Sequence, residues 1–168
     1  MDYTELPDRD YLLSRLDYDP HTGIFIWKLD GTKSWHARAN GKQAGLILNC
    51  GHRQITLHGK RYLAHRLAWL IVTGESPMSD IDHKDRNPDN NRWSNLRLAT
   101  VQQNAFNRND YPTSQIGARG ISSKKGKYQA VIGVGGKDIY LGRFQTLEEA
   151  KAVRAAAEVH YFGEFANV

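Results

Sequence analysis

Residues 78–106 read MSDIDHKDRNPDNNRWSNLRLATVQQNAF, and this stretch decides how the chain is read. It is crowded with short polar side chains: Asp82, Asp85, Asn87, Asp89, Asn90, Asn91, Asn95 and Asn104, with His83 among them. Met78–His83 has the composition of one strand and Asn95–Ala99 of another. Between them, Asn87-Pro88-Asp89-Asn90 is a strong turn signal, because Asn and Asp bond their own backbone and Pro fixes its φ. Thr100-Val101-Gln102-Gln103 has capping-box spacing, which predicts a helix from there to about Arg108. The order is therefore strand, loop, strand, helix.

Four residues of this stretch suggest chemistry. Asp82 and His83 are neighbours near a strand end, so their side chains diverge. One can reach a metal while the other reaches a water. Asn104 falls near the start of the helix and faces Asp82 if that helix packs on the hairpin. A carboxylate and an amide oxygen are hard donors suited to Mg²⁺. A neutral imidazole near pH 7 can take a proton from an attacking water. Taken singly, each residue has a plainer explanation. An Asp-His pair is ordinarily a polar surface pair, a helical Asn faces solvent, and Asn95 reads as a turn residue. Only the ordered combination points to catalysis.

The flanks are basic. The chain has 168 residues and a net charge of +5, with a pI of about 9.3. From Gly31 to Gly74 there is no Asp or Glu, but there are Lys33, Arg38, Lys42, Arg53, Lys60, Arg61 and Arg66, together with His36, His52, His58 and His65. A second acid-free stretch, Tyr111 to Lys137, holds Arg119, Lys124, Lys125, Lys127 and Lys137. Basic, acidic-polar, basic is the layout expected of two phosphate-holding surfaces around a cation centre. Arg53, Lys60, Arg61, Arg66, Arg97, Lys124 and Lys125 are the expected backbone contacts to a double-stranded DNA partner. His52 and His58 read as strand-edge residues able to touch phosphate, and His65 as a packed helix histidine. The single cysteine, Cys50, rules out an intramolecular disulfide and zinc sites built from several thiolates. There is no apolar run of membrane length and no apolar leader at the acidic start, so a cytoplasmic location, in a bacterial or phage-infected cell, is expected. No protein partner is inferable.

Outward from the central stretch, Asp8 is a candidate N-cap for a helix over 8–17 with Leu12, Leu13 and Leu16 apolar. Residues 19–23 read as a turn, Ile24–Trp27 as a strand and 31–41 as a loop. Strands are expected at 44–48 and 53–58, with a hairpin turn at His58-Gly59-Lys60 into Arg61–Leu63. Ala64–Val72 fits a helix with Ala64, Leu67, Ala68 and Ile71 on one face, ended by Gly74. Downstream, 111–115 reads as a linker. Strands are then expected at 120–122, 128–133 and 138–142, with a Gly135-Gly136 hairpin turn. A capping box at Thr146–Glu149 opens a last helix to about Tyr161, with Leu147, Ala150, Val153, Ala157 and Tyr161 on one stripe.

The run Asp82-His83-Lys84-Asp85, then Asn95-Leu96-Arg97-Leu98-Ala99-Thr100, then Gln103-Asn104 and Asn107, resembles the HNH endonuclease motif of phage and homing-type enzymes in which Asn replaces the last His. Tyr62–Trp69 and Thr73–Pro77 resemble the segment leading into it. The resemblance spans roughly residues 18–108. It implies a ββα-metal fold, DNA phosphodiester hydrolysis, and products with a 5′ phosphate and a 3′ hydroxyl. By position, His83 would be the general base and Asp82 and Asn104 the ligands of one Mg²⁺ (or Mn²⁺) per active site. Asn95 would brace the loop and orient His83. The paired CxxC zinc motifs of many relatives are missing, so hydrogen bonds from Asn and Asp must hold the loop 84–94.

Residues 116–165 resemble the Apetala-two (ethylene-response-factor) DNA-binding domain through Arg119-Gly120-Ile121, Lys127–Ile132, Tyr140–Phe144 and Thr146–Ala150. That resemblance implies a three-stranded sheet laid in the major groove with one helix on its back. Alternation turns Tyr128, Ala130 and Ile132 to the helix. Arg119, Ser122, Lys124, Gln129 and Tyr140 would face DNA, Arg and Gln reading bases and Lys anchoring phosphate. Ser122, Val131, Gly133 and Asp138 depart from the plant pattern of charged readers.

The expected architecture is α+β: a nuclease domain over 1–110, whose ββα core of about 78–108 follows a small strand-rich region, a linker at 111–115, and a sheet-plus-helix DNA reader over 116–168. The expected activity is metal-dependent DNA cleavage by His-activated water. The rival is a non-catalytic DNA-binding or regulatory protein with a vestigial nuclease fold. A structural metal-binding module and an RNA nuclease are further alternatives.

Overall fold

Asp8 opens the first helix, α1 (Arg9–Arg15), by accepting a hydrogen bond from the Tyr11 amide. The computed structural model describes residues 5–31, 33–106, 116 and 118–166. It divides into two compact units between Thr100 and Val101. No helix among the described residues is long and apolar enough to cross a membrane.

In the first unit the chain leaves α1 directly into β1 (Leu16–Asp19), which pairs antiparallel with β2 (Ile24–Trp27). The expected helix to residue 17 thus stops two residues early. Leu16 continues the apolar spacing of α1, yet it is extended and buried, paired with Trp27. Residues 31–41, expected as a loop, include a short helix, α2 (Ser34–Ala39). It carries no side-chain cap at Lys33, the local signal that would have revealed it. Strands β3 (Leu46–Ile47), β4 (Arg53–Leu57) and β5 (Lys60–Leu63) form an antiparallel sheet in that order. His58 and Gly59, both at positive φ, make the tight turn between β4 and β5.

Helix α3 (Ala64–Thr73) is the centre of this unit and ends at Gly74 in the left-handed conformation. Leu67, Ala68, Leu70 and Ile71 join Leu12, Leu16, Phe25, Ile55, Ile81 and Leu96 in one core. Arg9 of α1 donates twice to the Ile71 carbonyl, at 3.1 and 2.9 Å, satisfying an end-of-helix acceptor. Beyond α3, β6 (Asp80–His83) and β7 (Leu96–Ala99) pair antiparallel, Asp82 opposite Arg97 and His83 opposite Leu96. Ile81 faces the core, which fixes the register of the hairpin.

The second unit starts with α4 (Val101–Phe106). Arg108 and the 111–115 linker lie outside the described residues. Strands β8 (Ile121–Lys124), β9 (Lys127–Val134) and β10 (Lys137–Phe144) form an antiparallel sheet with β9 central. Its tight turns use Lys125-Gly126 and Gly135-Gly136, all four at positive φ. Thr146 and Glu149 form the reciprocal capping box of α5 (Leu147–Phe162). Ala150 packs with Ile121, Ala130 and Ala118. The buried stripe of α5 differs from the apolar spacing. Arg154 and Glu158, an ion pair at 2.8 Å, are buried with Ala150, Ala157 and Phe162, whereas Tyr161 is exposed.

Gly23 ties the β1–β2 turn to the central stretch. At φ +75° a Cβ there would sit 2.4 Å from the Arg92 amide nitrogen and 2.5 Å from the Asn91 carbonyl carbon. Gly23→Ala therefore combines left-handed strain with a backbone clash. It should destabilise the first unit by more than about 1 kcal/mol, as read from denaturant midpoints. Wild-type stability in this variant would show that the turn yields freely.

Candidate active site and nucleic-acid interface

The loop between β6 and β7 is built from side-chain-to-backbone bonds, as the Asn and Asp content leads one to expect. Asp85 Oδ1 accepts from the Asn87 amide at 2.9 Å, and Asn87 Oδ1 from the Asp89 amide at 3.1 Å. Asn95 is buried at the far end of the loop, in a 3₁₀ turn over Trp93–Asn95. Its Oδ1 accepts from the Asp85 amide at 3.0 Å, and its Nδ2 donates to Asp85 Oδ1 at 2.9 Å and to the Asn90 carbonyl at 2.8 Å. Asn90 Nδ2 donates to the other Asp85 oxygen. Burial raises the Asp85 pKa, but the bonds from Asn90, Asn87 and Asn95 outweigh it and leave the carboxyl below its ordinary value. From outside the loop, Tyr18 donates to the Asn91 carbonyl at 2.7 Å, and the Trp93 amide to the Pro20 carbonyl at 2.9 Å.

This brace delivers Asn91 to His83. Asn91 is almost wholly buried, and its Oδ1 lies 3.4 Å from His83 Nε2. Asn91 Nδ2 donates to the Asp89 carbonyl at 3.0 Å, which fixes which end of the amide faces the ring. An amide oxygen only accepts, so Nε2 carries the proton and Nδ1 keeps the lone pair. Burial holds the His83 pKa below its ordinary value. The Asn91 contact and the charges of Asp85 and Asp82 pull the other way, and His52 adds to the lowering. His83 is therefore neutral near pH 7. Asn95, expected to orient His83, shapes the loop, while Asn91 makes the direct contact.

Asp82 is buried beside His83. Its Oδ2 is held by Arg97 Nε at 2.8 Å and Nη2 at 2.7 Å, across the β6–β7 pair. Asn104, the other expected metal ligand, is half-buried on α4 and belongs to the second unit.

The histidines were read differently from the sequence. His52, His65 and His83 bring one ring nitrogen each to within 4.8 Å of one another. The His65 and His83 rings are edge to face at 5.1 Å between centroids, and His52 lies 5.1 Å from His65 and 5.7 Å from His83. His52 thus turns inward instead of edging a strand. These residues come from before β4, from α3 and from β6. Only a long-range contact joins them, and no local signal could have found it.

Several expected DNA contacts prove to be engaged inside the fold. Arg53 makes a two-pronged pair with Asp89, at 2.8 and 2.9 Å, and fastens the central loop to β4. Arg97 is committed to Asp82. Arg66 is buried on α3, because that helix is enclosed on more sides than its apolar spacing suggests. Lys60 and Arg61 remain exposed on β5.

In the second unit, register assigns the faces of the sheet. Ile121, Ala130 and Gly142 are aligned, with Ile121 and Ala130 in the core under α5. The opposite face carries Ser122, Gln129 and Arg143 in one row, Lys124 and Lys127 in another, and Val131 with Tyr140 in a third. Ser122, Lys124, Lys127, Arg143 and Tyr140 are exposed, and Gln129 is half-buried. Arg143 was not among the expected contacts. A bulge between Tyr140 and Gly142 shifts the register and aims Arg143 outward. Arg119 precedes β8 and is half-buried, and Lys125 lies exposed in the β8–β9 turn.

Residues 62–106 match the family model described as HNH endonuclease. In this stretch the chain is similar to HNH endonucleases. An uncharacterized HNH endonuclease of Acanthamoeba polyphaga mimivirus is 39% identical over 110 residues, covering 64% of this chain and 57% of that protein. A solved structure of DNA binding and cleavage by the HNH homing endonuclease I-HmuI aligns with a TM-score of 0.40 and 27% identity, over 61% of this chain and 56% of that one. The chain thus spans little more than half the length of either relative. The matched segment contains His65, Asp82, His83, Asn95 and Asn104, while His52 and the second unit's sheet lie outside it.

Burial lowers the pKa of His52 and His83 and takes that of His65 well below 6.5, with the neighbouring His83, His52 and Arg66 adding to the effect on His65. The unfolded chain titrates near the ordinary value and so binds more protons below it. The stability of the first unit should be full above about 7 and fall as pH drops from there to about 5 in chelator-treated buffer. Denaturant unfolding across that range measures it, and His65→Gln should flatten the dependence. A pH-independent wild type would contradict neutral burial of the cluster.

Proposed function

We propose that this protein is a DNA endonuclease that hydrolyses a phosphodiester bond with His83 as the general base. The observation that carries this reading is the neutral, buried His83, its Nε2 set against Asn91 so that Nδ1 keeps the lone pair, within the HNH segment. The match to the HNH endonuclease family model and the 39% identical mimivirus relative described as an HNH endonuclease support a nuclease reading here.

In this reading His83 Nδ1 removes the proton from an attacking water, and the braced loop holds the ring in place. Asp82 would supply a hard oxygen donor to a divalent ion, which suits Mg²⁺ or Mn²⁺. When bound, that ion supplies charge stabilisation for the phosphate and the departing oxygen. Arg97 holds Asp82 on β6 and so keeps the carboxylate in one orientation. Lys60 and Arg61 on the first unit and the Lys124, Lys127 and Arg143 face on the second provide phosphate contacts, with Gln129, Arg119, Ser122 and Tyr140 as base or sugar contacts. The Apetala-two-like reading of the second unit rests on that outward face: two rows of cations and polar side chains on a sheet backed by one helix.

His83→Ala should abolish cleavage while leaving duplex affinity within about threefold, because a base acting on water adds little to ground-state binding. Gel-shift and cleavage assays on the same preparation separate the two. Equal loss of both would mark His83 as structural and favour the non-catalytic reading.

Replacing Lys124, Lys127 and Arg143 together by Ala should weaken binding and make the salt slope shallower by up to about three, at roughly 0.9 per phosphate contact. Titrations of duplex DNA across a salt series measure this. An unchanged slope would remove the sheet from the interface.

A further inference from the structure

His52, His65 and His83 meet in a way that phosphate hydrolysis does not require. A general base needs one imidazole, one partner for its far nitrogen and access to water. Asn91 already provides the partner for His83. Two more imidazoles nevertheless converge on the same ring, with one nitrogen from each of the three residues within 4.8 Å of the others. His65 and His83 are buried and His52 is half-buried. His65 Nδ1 is buried with no hydrogen-bond partner. A buried ring nitrogen without a partner is costly unless something fills its place.

We propose that His52, His65 and His83 form a binding site for a transition-metal ion of the Zn²⁺ class, a donor set distinct from the Asp82 carboxylate assigned to Mg²⁺. Three imidazoles are a borderline-soft nitrogen donor set, suited to Zn²⁺, Co²⁺ or Ni²⁺ and poorly suited to Mg²⁺. With metal–nitrogen bonds of about 2.0–2.1 Å, tetrahedral geometry needs nitrogens about 3.4 Å apart. Side-chain rotations that draw the rings together by about an ångström therefore complete the site. The fourth position is left to water or an anion.

The site has a consequence that rests on the proposed role of His83. An ion bound there takes the ring that would otherwise accept the proton of the attacking water. Occupancy by Zn²⁺ and base catalysis by His83 exclude one another. The cluster then acts as an inhibitory site, in which a tightly held nitrogen-seeking ion holds the base inactive while Mg²⁺ is present.

The test uses the full chain with Cys50→Ser, which removes the exposed thiol. Zn²⁺ is titrated calorimetrically, and Co²⁺ is followed by its visible absorption. One equivalent should bind, with tetrahedral Co²⁺ bands, in the presence of millimolar Mg²⁺. His52→Gln should weaken binding by at least about tenfold, since the loss of even an outer partner of a metal ligand costs that much. In parallel, imidazole NMR signals of the protein with its three histidines intact should move on Zn²⁺ addition at His52, His65 and His83 together. The proposal is overturned if no stoichiometric equivalent binds, if His52→Gln binds as tightly, or if the signals that move belong to His21, His36, His58 or His160. None of these readouts involves cleavage, so binding can fail while the nuclease reading stands, or succeed in an inactive protein. A final arm adds one equivalent of Zn²⁺ to a Mg²⁺-supported cleavage reaction. Cleavage should fall to a small fraction, and undiminished cleavage would overturn the claim that the ion occupies the base.

Discussion

The Asn95 side chain is the fastening on which the central stretch depends. Its amide closes the loop by joining Asp85, at backbone and carboxylate, to the Asn90 carbonyl. Asp85 in turn holds Asn87 and Asn90, and the chain between them places Asn91 against His83. A single buried amide thus sets the shape of a loop in which Tyr18, Pro20 and Arg53 are anchored from other elements. A buried polar network of this kind specifies one arrangement because each unmade bond would cost about 1–3 kcal/mol.

Burial then does the electrostatic tuning. The loop and α3 shut His83 and His65 away from water, which disfavours their charged forms and leaves neutral rings. Neutral imidazole is what a proton acceptor requires and also what a metal ligand requires. The same enclosure therefore supports both the proposed base and the proposed three-histidine site. Asp82, one residue away, is paired with Arg97, so a single strand end presents an ion pair and a neutral ring side by side.

Much of this was legible in the sequence where the governing interaction is local. Asp8 and Thr146 announce their helices by bonding to amides three residues on. His58-Gly59 and Gly135-Gly136 announce hairpins through the left-handed conformations they permit. The Asx bonds of the central loop follow from side chains that reach only two or three residues. What escaped was set at long range or by weak signals. Leu16 fits a helical stripe but is captured by pairing with Trp27. Ser34–Ala39 forms a helix without a capping side chain. Arg53, Arg66 and Arg97 look like surface cations but are turned inward by Asp89, by the enclosure of α3 and by Asp82. The meeting of His52 with His65 and His83 spans three segments and has no periodicity to betray it.

The central claim is that the braced His83 serves hydrolysis of DNA. Its most direct measurement is to incubate the pure 168-residue chain with supercoiled duplex DNA, with and without Mg²⁺, and to map the ends. The account predicts strand breaks only when Mg²⁺ is present, each bearing a 5′ phosphate and a 3′ hydroxyl. DNA that is bound but remains intact with Mg²⁺ or Mn²⁺ would contradict it.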